Sequence, residues 1–302
     1  MNNPRDLLVI GHTALDYIIK VENFPSINSS TSIDNLKNLH GGAAANVAVV
    51  GANLGLKTSL ISAVGGTFPT SEYKEKLKKL DINTDNMIVV EDESTPTAFV
   101  LTDKNDDQVS YFYWGAGREF ANSKVPQIAF SNVKAVHLAT GDPDFNYRGG
   151  QIAKSLNKIV SFDPGQDLHM YTDEKLKEVL GNCNILFGNQ YEIDWILNRL
   201  SIDIKELRYL GPEIIVKTLG KDGSIIYQEE EIFVESIYRP AVDPTGAGDS
   251  YRAGFLRCYL QGQDLKKCGE FASAVSSFIV EAEGCQTNIP TVKDVKDRIA
   301  NK

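Results

Sequence analysis

The chain has 302 residues, of which 42% are hydrophobic, and carries a formal net charge of −9 at pH 7. This length and composition predict one globular domain over residues 1–302, with a sizeable core. The acidic balance argues against general binding to nucleic acids or anionic membranes, which attract basic surfaces, and no apolar run approaches the roughly 18 residues of a membrane span.

Apolar runs and turn residues in the first part of the chain predict pieces of two sheets and a helix. Continuous apolar runs bounded by turn residues are typical of strands covered on both faces. Alternating residues on either side of a polar turn indicate a hairpin. We expect the segments of about 15–40 and 95–115 to form a small β-sheet lid over a site. In chain order, the predicted elements are a strand at residues 7–10, extended pieces at 16–21 and 30–39, a helix at 42–54, a strand at 58–61 and a hairpin at 97–113 around the turn 103–107.

The rest of the chain alternates short apolar runs with helical segments. Residues 176–180 have apolar side chains at helical spacing before Gly181, and residues 193–200 repeat the pattern. Strands that alternate with helices at this interval predict an α/β fold with a doubly wound, mostly parallel central sheet flanked by helices. The predicted strands are residues 133–138, 159–162, 185–187 and 214–216.

The cysteines and histidines argue against a disulfide framework and against a zinc site. The four cysteines form no CxxC pair, and none of the four histidines lies in an HExxH motif. Residues 1–6 are polar and lack the layout of a secretion signal. Reduced thiols and a cytoplasmic location are therefore expected.

A Gly-rich segment at residues 243–255 is the sharpest candidate for chemistry. It reads DPTGAGDSYRAGF, a turn that opens into an apolar helix. Backbone N–H groups at a helix start bind anions, so Gly246, Ala247 and Gly248 are predicted to hold the charge of a transferring phosphoryl group. Asp249 is then placed to accept a proton from an attacking hydroxyl. From these residues alone, an N-cap aspartate after a tight turn is the commoner alternative.

This segment resembles the second signature of the ribokinase family, also called the PfkB carbohydrate kinases. The first signature also appears, as GGAAAN at residues 41–46 followed by a helix and Gly65-Gly66. The resemblance covers essentially the whole chain and looks strongest to archaeal members that act on nucleosides. It implies an ATP-dependent kinase that transfers the γ-phosphoryl group to a hydroxyl, with Asp249 as the catalytic base.

The resemblance implies a substrate site built from the first signature and its neighbours. Gly42 would bring its backbone against the substrate, Asn46 would hydrogen-bond to substrate hydroxyls, and Asp16 would accept from a sugar diol. Asp163 and Gln166, in the sequence DPGQD, are assigned to the same site. Many sugar-specific relatives carry an Arg there, and its absence weakens a sugar-phosphate substrate. Without the family context, Asp16 reads as a solvated loop residue and Gly42 as a plain turn.

The resemblance also implies a nucleotide site. Asn189 and Glu192 resemble the NxxE motif that helps to place Mg²⁺ and phosphate, with Glu192 acting on the metal through water. A helix cap would explain these two residues nearly as well. The segment KTLGKDG at residues 217–223 resembles the ATP-contacting turn, and residues 272–279 would lie near adenine. The predicted ATP contacts are Gln108, Asn189, Lys217, Thr218, Gly220 and Gly223.

The acceptor alcohol is predicted to be the ribose 5′-hydroxyl of a nucleoside. Phe112 and Trp114 would present an aromatic wall to a nucleobase, although packing within the lid explains them equally well. Arg118 is a candidate cation for the transferred phosphate. A free-sugar or sugar-phosphate kinase and a non-catalytic nucleotide-binding regulator stay open as alternatives. An NAD-dependent enzyme falls behind, because GHTA at residues 11–14 replaces the expected GxGxxG.

The expected cofactors are ATP and Mg²⁺, and dependence on a monovalent cation such as K⁺ stays open. The expected partners are a small alcohol substrate and a second copy of the chain, with no nucleic acid and no membrane. The homodimer is predicted to form through the lid, because bare edge strands invite pairing.

Overall fold

A computed structural model describes residues 4–105 and 107–302. Residue Asp106 of the predicted turn, and residues 1–3 of the polar N-terminal segment, lie outside the described residues. In the part of the chain that is described, no helix has both the length and the apolar character needed to cross a membrane.

The strands of the described chain fall into three sheets. Eight of them form the central sheet, four form the lid and two form a small parallel pair, which the sequence did not predict. In chain order the strands are β1 Arg5–Ile10, β2 Ala14–Lys20, β3 Asn35–Gly41, β4 Thr58–Ile61, β5 Ala63–Gly65, β6 Ile88–Val90, β7 Thr97–Thr102, β8 Gln108–Tyr113, β9 Val133–Leu138, β10 Ile159–Phe162, β11 Ile185–Asn189, β12 Ile214–Thr218, β13 Ser224–Tyr227 and β14 Glu231–Val234.

Seven of the nine described α-helices begin at a side-chain cap. Thr172 caps the Lys175 N–H at 3.1 Å and Asp264 caps the Lys267 N–H at 2.9 Å. Hydroxyl and carboxylate caps satisfy backbone donors that have no partner within the helix. The α-helices of the described residues are α1 Ala43–Asn53, α2 Glu72–Lys79, α3 Pro143–Ser155, α4 Asp173–Leu180, α5 Gln190–Leu200, α6 Ile204–Tyr209, α7 Ala247–Tyr259, α8 Leu265–Ile279 and α9 Val292–Ala300.

The central sheet has the order β14-β13-β12-β11-β10-β9-β1-β4. Its pairs are parallel from β4 to β12, while β13 and β14 join antiparallel at one edge. This confirms the mostly parallel α/β sheet and all six predicted strands. The chain leaves β1 in one direction to reach β4 and in the other to reach β9. Such a switch in strand order opens a crevice at the carboxyl ends of the strands.

The sheet separates two apolar cores. Along β1, Leu7 and Val9 face a cluster that includes α1, α7 and α8, whereas Leu8 and Ile10 face a cluster that includes α3, α4 and α5. All four side chains are fully buried. Because both faces of the strand meet apolar side chains, the strand carries an unbroken apolar run.

The lid is a separate four-stranded sheet with the order β3-β2-β7-β8. Its register pairs Asp16 with Ala98 and Ala98 with Phe112, which places these three residues in one row on one face. The next row, on the opposite face, contains Tyr17 and Phe99, whose rings stack at 5.4 Å. The predicted small sheet is therefore present, with side chains that alternate between an inner and an outer face.

Candidate active site

The first turn of α7 is built around a glycine that no other residue could replace without strain. Gly246 caps the helix with φ 79° and ψ 0°, a left-handed conformation that disfavours side chains. A Cβ built on Gly246 would lie 2.5 Å from both Cβ and Sγ of Cys285. Backbone conformation and packing together require glycine there. The chain can then turn sharply into α7 and place Asp249 in its first turn.

The Asp249 carboxylate is held by two donors. Asn46 Nδ2 donates to Oδ2 at 2.8 Å, and Arg252 Nη1 donates to Oδ1 at 2.9 Å. The side chain is 14% exposed. Burial raises the pKa of Asp249, while Arg252 and Asn46 oppose that rise. A buried carboxylate with raised proton affinity suits the predicted base.

The Asn46 amide is oriented by a chain of hydrogen bonds from behind. Gln286 Nε2 donates to Asn46 Oδ1 at 2.8 Å and also lies 2.7 Å from the Tyr73 hydroxyl. The Tyr73 hydroxyl donates to the Gly41 carbonyl at 2.8 Å. With its oxygen engaged by Gln286, the amide presents its NH₂ group to Asp249. Neither Gln286 nor Tyr73 was predicted, because neither lies in a recognisable local motif.

Two further carboxylates share the site. The Arg252 Nε forms an ion pair with Asp163, so one guanidinium connects Asp163 to Asp249. Burial raises the pKa of Asp163, and Arg252 opposes that rise. Asp16 is 8% exposed, and burial together with the charges of Asp249 and Asp243 raises the pKa of Asp16 to about 7.

These residues border a cavity of about 380 Å³ between the central sheet and the lid, here called the acceptor cavity. That volume lies within the roughly 300–1,000 Å³ range of small-molecule sites. Its floor includes His12 and Thr140, which follow β1 and β9 at the switch in strand order. The predicted residues that line it are Asp16, Gly42, Asn46, Phe112, Asp163, Gln166 and Asp249.

Two predicted residues have a different relation to the acceptor cavity. Gln108 was assigned to ATP, but its place on β8 puts it among the residues that line the acceptor cavity. Trp114 is absent from that lining and packs edge-on against His12, with ring centroids 4.6 Å apart. Phe112 packs on the same imidazole at 5.1 Å. His12, which the sequence analysis missed, therefore connects the lid aromatics to the floor.

A second cavity of about 290 Å³, here called the donor cavity, lies on the other side of the α7 start. Three predicted ATP contacts line it: Thr218, Gly220 and Gly223. Of residues 272–279, which were predicted to lie near adenine, Ser273 and Ser277 line it too, whereas Ala274 and Val275 are buried in the core. Lys217 does not line it, because its Nζ pairs with Asp194 at 2.6 Å.

The first turn of α7 divides the two cavities. Thr245 and Asp249 line the acceptor cavity, while Ala247 and Gly248 line the donor cavity. Since the N–H groups of this turn lie at a helix start, they can hold an anion that passes between the cavities. The arrangement can carry a group from a donor on one side to an acceptor on the other.

Asn189 and Glu192 form a reciprocal cap at the start of α5. Asn189 Oδ1 accepts from the Glu192 N–H at 2.9 Å, and Glu192 Oε2 accepts from the Asn189 N–H at 2.7 Å. Glu192 is nonetheless 8% exposed, and its charge raises the pKa of both Asp163 and Asp249. The described residues include no group of three or more acidic, His or Cys side chains around a metal position. Glu192 thus suits a cation whose other ligands are water and phosphate oxygens.

Arg118 does not reach the site. Its guanidinium lies 5.9 Å from the centre of the Tyr113 ring, and its exposed side chain lines neither cavity. The cation within the site is instead Arg252, which the sequence analysis treated as part of the α7 segment.

Proteins of similar sequence and similar structure are known. The family model of the pfkB family carbohydrate kinases matches residues 4–292. A nucleoside kinase of Methanothermobacter thermautotrophicus is 60% identical over 298 residues, which cover 99% of this chain and 96% of the relative. A nucleoside kinase of Methanocaldococcus jannaschii is 45% identical over 292 residues, with 96% and 95% covered. The crystal structure of the M. jannaschii nucleoside kinase, an archaeal member of the ribokinase family, matches with a TM-score of 0.94, 42% identity and full coverage of both chains.

Proposed function

Because the chain belongs to the pfkB family of carbohydrate kinases, we propose that it is an ATP-dependent nucleoside kinase that phosphorylates the ribose 5′-hydroxyl with Asp249 as general base. The observation that carries this proposal is the position of Asp249 in the turn that divides the two cavities. A base at that boundary can reach a hydroxyl on one side while the γ-phosphoryl group arrives from the other.

The acceptor cavity supplies the contacts that a ribose needs. The Asp16 carboxylate accepts hydrogen bonds from neighbouring hydroxyls, because an ionised carboxylate is an acceptor only. A Cβ on Gly42 would lie 2.5 Å from the Ala14 nitrogen, so only glycine allows the close backbone packing that places Gly42 in the cavity lining. Phe112 covers the cavity from the lid and offers an aromatic face to a base.

The donor cavity holds ATP, with its phosphates at the start of α7. The acceptor oxygen attacks the γ-phosphorus, the bond to the bridging oxygen breaks with its electron pair going to ADP, and the hydroxyl proton moves to Asp249. The N–H groups of Gly246, Ala247 and Gly248 offset the charge that develops on the phosphoryl oxygens. Closure of the lid over the acceptor would keep water from competing with the alcohol.

Mg²⁺ would bind near Glu192 and Asn189, where it would neutralise phosphate charge and orient the β- and γ-phosphates. Glu192 contributes charge to this region, and the cap with Asn189 fixes one of its carboxylate oxygens. Dependence on Mg²⁺, and on a monovalent cation such as K⁺, is tested by turnover in chelated and cation-exchanged buffers.

A sugar-phosphate kinase is less well supported than a nucleoside kinase. Among the described residues that line the acceptor cavity, Arg252 is the sole Lys or Arg, and Asp163 and Asp249 already engage it. A second phosphate on the acceptor would therefore meet no unengaged cation in this lining. A free sugar stays the runner-up, because Asp16 would hold any vicinal diol. A regulator without catalysis stays behind both, since Asp249 and its glycines are in place.

The outer face of the lid suits a second copy of this chain. It exposes apolar side chains on three strands: Leu36, Phe99, Val109, Tyr111 and Tyr113. An apolar face of this kind is usually covered by a partner. A two-fold symmetric dimer would bury this face on both protomers. Light scattering at micromolar concentration should give a dimer, and Phe99→Asp should give a monomer; a monomeric wild-type protein would refute the assembly.

The four cysteines are buried free thiols, which supports a cytoplasmic location.

The function is tested by ADP release from ATP and Mg²⁺ with nucleosides and free sugars as acceptors. Faster release with inosine, guanosine, cytidine or adenosine than with ribose or fructose is expected. A preference for a sugar would overturn the nucleoside assignment and keep the kinase. ATP binding without stimulation by any alcohol would favour the regulator.

A further inference from the structure

Arg252 lies one helical turn after Asp249 on the same face of α7. Its Nη1 donates to Asp249 Oδ1 at 2.9 Å, its Nε pairs with Asp163, and its side chain is 14% exposed. A buried guanidinium between two carboxylates is held in a fixed orientation, because its planar donors match their oxygens.

The acceptor cavity is acidic apart from this one side chain. The described lining residues include three carboxylates, those of Asp16, Asp163 and Asp249. Arg252 is the sole Lys or Arg in the described lining. The γ-phosphoryl group is itself anionic, so its approach to three carboxylates is opposed unless a cation compensates. Arg252 is therefore the side chain in this lining that can compensate the incoming charge.

The guanidinium also lies beside the boundary between the two cavities. A Cβ built on Gly248 would be 2.9 Å from Arg252 Nη1, so the guanidinium rests against the backbone of the first turn of α7. Gly248 lines the donor cavity, and Arg252 lines the acceptor cavity. A phosphoryl group that crosses this boundary passes the guanidinium within contact distance.

We propose that Arg252 is a catalytic residue whose guanidinium exchanges the Asp249 carboxylate for the γ-phosphoryl oxygens during transfer, an inference that rests on the proposed function. When the acceptor oxygen bonds to phosphorus and ADP departs with the electron pair of the broken bond, the hydroxyl proton neutralises Asp249. The neutral carboxyl holds Arg252 less strongly. The freed N–H donors of Arg252 then contact the phosphoryl oxygens, while Nε stays on Asp163.

The test compares Arg252→Gln and Arg252→Lys with wild-type protein in steady-state kinetics across pH. We expect Arg252→Gln to lower kcat about 10²- to 10³-fold at every pH, as loss of a transition-state donor does. The KM values for nucleoside and ATP should stay within about threefold, because ground-state binding is not lost. Arg252→Lys should recover part of the rate, since it keeps the charge but not the planar fork.

Arg257 provides a matched control on the same helix. Its guanidinium lies 4.9 Å from the centre of the Phe271 ring and lines neither cavity. Arg257→Gln should therefore keep the wild-type kcat. A role for Arg252 limited to positioning Asp249 would give a different result: Arg252→Gln would shift the acidic limb of the pH profile but regain the wild-type plateau. That result would overturn the phosphoryl contact.

A folding defect would not remove the test. If Arg252→Gln does not fold, Arg252→Lys is used to test the phosphoryl contact, and its plateau kcat is expected to be at least about tenfold below that of the wild-type protein. Wild-type kcat in a folded Arg252→Lys protein would overturn the proposal. Nucleoside turnover by the wild-type protein tests the proposed function separately, so the two failures cannot be confused.

Discussion

Asn46 Nδ2 lies 2.8 Å from Asp249 Oδ2, although 203 residues separate the two along the chain. The contact joins the first residues of α1 to the first turn of α7, and these two helices pack against each other on one face of the central sheet. The amide proposed to hold the substrate and the carboxylate proposed as the base are thus fixed relative to one another by the core. Their separation does not depend on the lid.

Asp249→Asn should nearly abolish turnover. An amide cannot take the hydroxyl proton, and loss of a general base typically costs about 10²- to 10⁴-fold in rate. Turnover should be measured as ADP release, with ATP binding and the melting temperature followed in parallel. Asp264→Asn is the matched control, because Asp264 caps α8 at an exposed position and should leave kcat unchanged. Wild-type turnover by Asp249→Asn would remove the base assignment.

Gln286→Glu should impair the enzyme more than Gln286→Met. A carboxylate in place of the Gln286 amide would attract the Asn46 NH₂ group and turn the Asn46 oxygen toward Asp249, where two acceptors would face each other. Gln286→Met removes the hydrogen bond without reversing the amide. The loss in kcat/KM for the nucleoside, measured for each variant relative to the wild-type protein, distinguishes the two variants. Equal losses would show that Gln286 acts through packing alone.

The KM for nucleoside should rise as the pH falls through about 7. The pKa of Asp16 is raised to about 7 by burial and by Asp249 and Asp243, so below that pH the carboxyl is protonated and loses acceptor strength. The pKa of Asp16 is lower in the unfolded state, so between the unfolded-state and folded-state pKa values the folded protein holds a proton that the unfolded chain has lost. The contribution of Asp16 to the free energy of unfolding therefore falls as the pH rises through that range. Asp16→Asn should therefore raise the melting temperature at pH 8 while weakening nucleoside binding. A pH-independent KM in the wild-type protein would contradict this role.

Gly246→Ala should inactivate and destabilise the protein, whereas Gly262→Ala should cause a much smaller change. Both glycines have positive φ, 79° and 73°, so both alanines carry the backbone penalty of about 1–2 kcal/mol. Only at Gly246 would the added Cβ meet another atom, Cys285 Sγ at 2.5 Å, whereas Gly262 has nothing within 4 Å. Melting temperature and kcat measured on both variants separate the backbone cost from the clash. Similar losses in the two variants would assign the effect to the backbone alone.

Phe112→Ala should raise the KM for nucleosides by about tenfold, since stacking on a base contributes about 1–3 kcal/mol. The KM for ribose, where ribose is accepted, should change little, because it presents no base to the aromatic ring. An equal rise for both acceptors would assign Phe112 to packing within the lid, where its ring lies 6.2 Å from that of Trp114.

Six of the eight strands of the central sheet were predictable, because a strand that is buried on both faces has an unbroken apolar run. The edge strands β13 and β14 are only partly buried and were not predicted. The start of α5 was predicted by its cap and not by its periodicity. The periodic side chains begin at Ile193, whereas the helix cap offered as an alternative for Asn189 and Glu192 marks the observed start. The first turn of a helix is polar, so periodicity alone places its start too late.

The site was predicted where a local motif carries it and missed where tertiary contacts do. Asp249 and Asn46 each lie in a Gly-rich signature, and the structure brings them together. Gln286 reaches the site from a loop after α8, and no local pattern around it indicates a partner. Gln108 and Lys217 were placed by resemblance, but strand register and an ion pair with Asp194 decide where they lie.

The alternation of side chains along the lid strands has a consequence for how this protein can change. Ser110 and Phe112 line the acceptor cavity from β8, while Val109 and Tyr113 lie on the outer face with Phe99. Apart from Tyr111, which lines the cavity as well, substitutions at single positions can therefore change the cavity lining or the outer face separately. A one-residue insertion or deletion within β8 would exchange the two sets, since the side-chain period of a strand is two residues. Point mutations can therefore change one face of the lid at a time, whereas a change in the length of β8 would alter both faces at once.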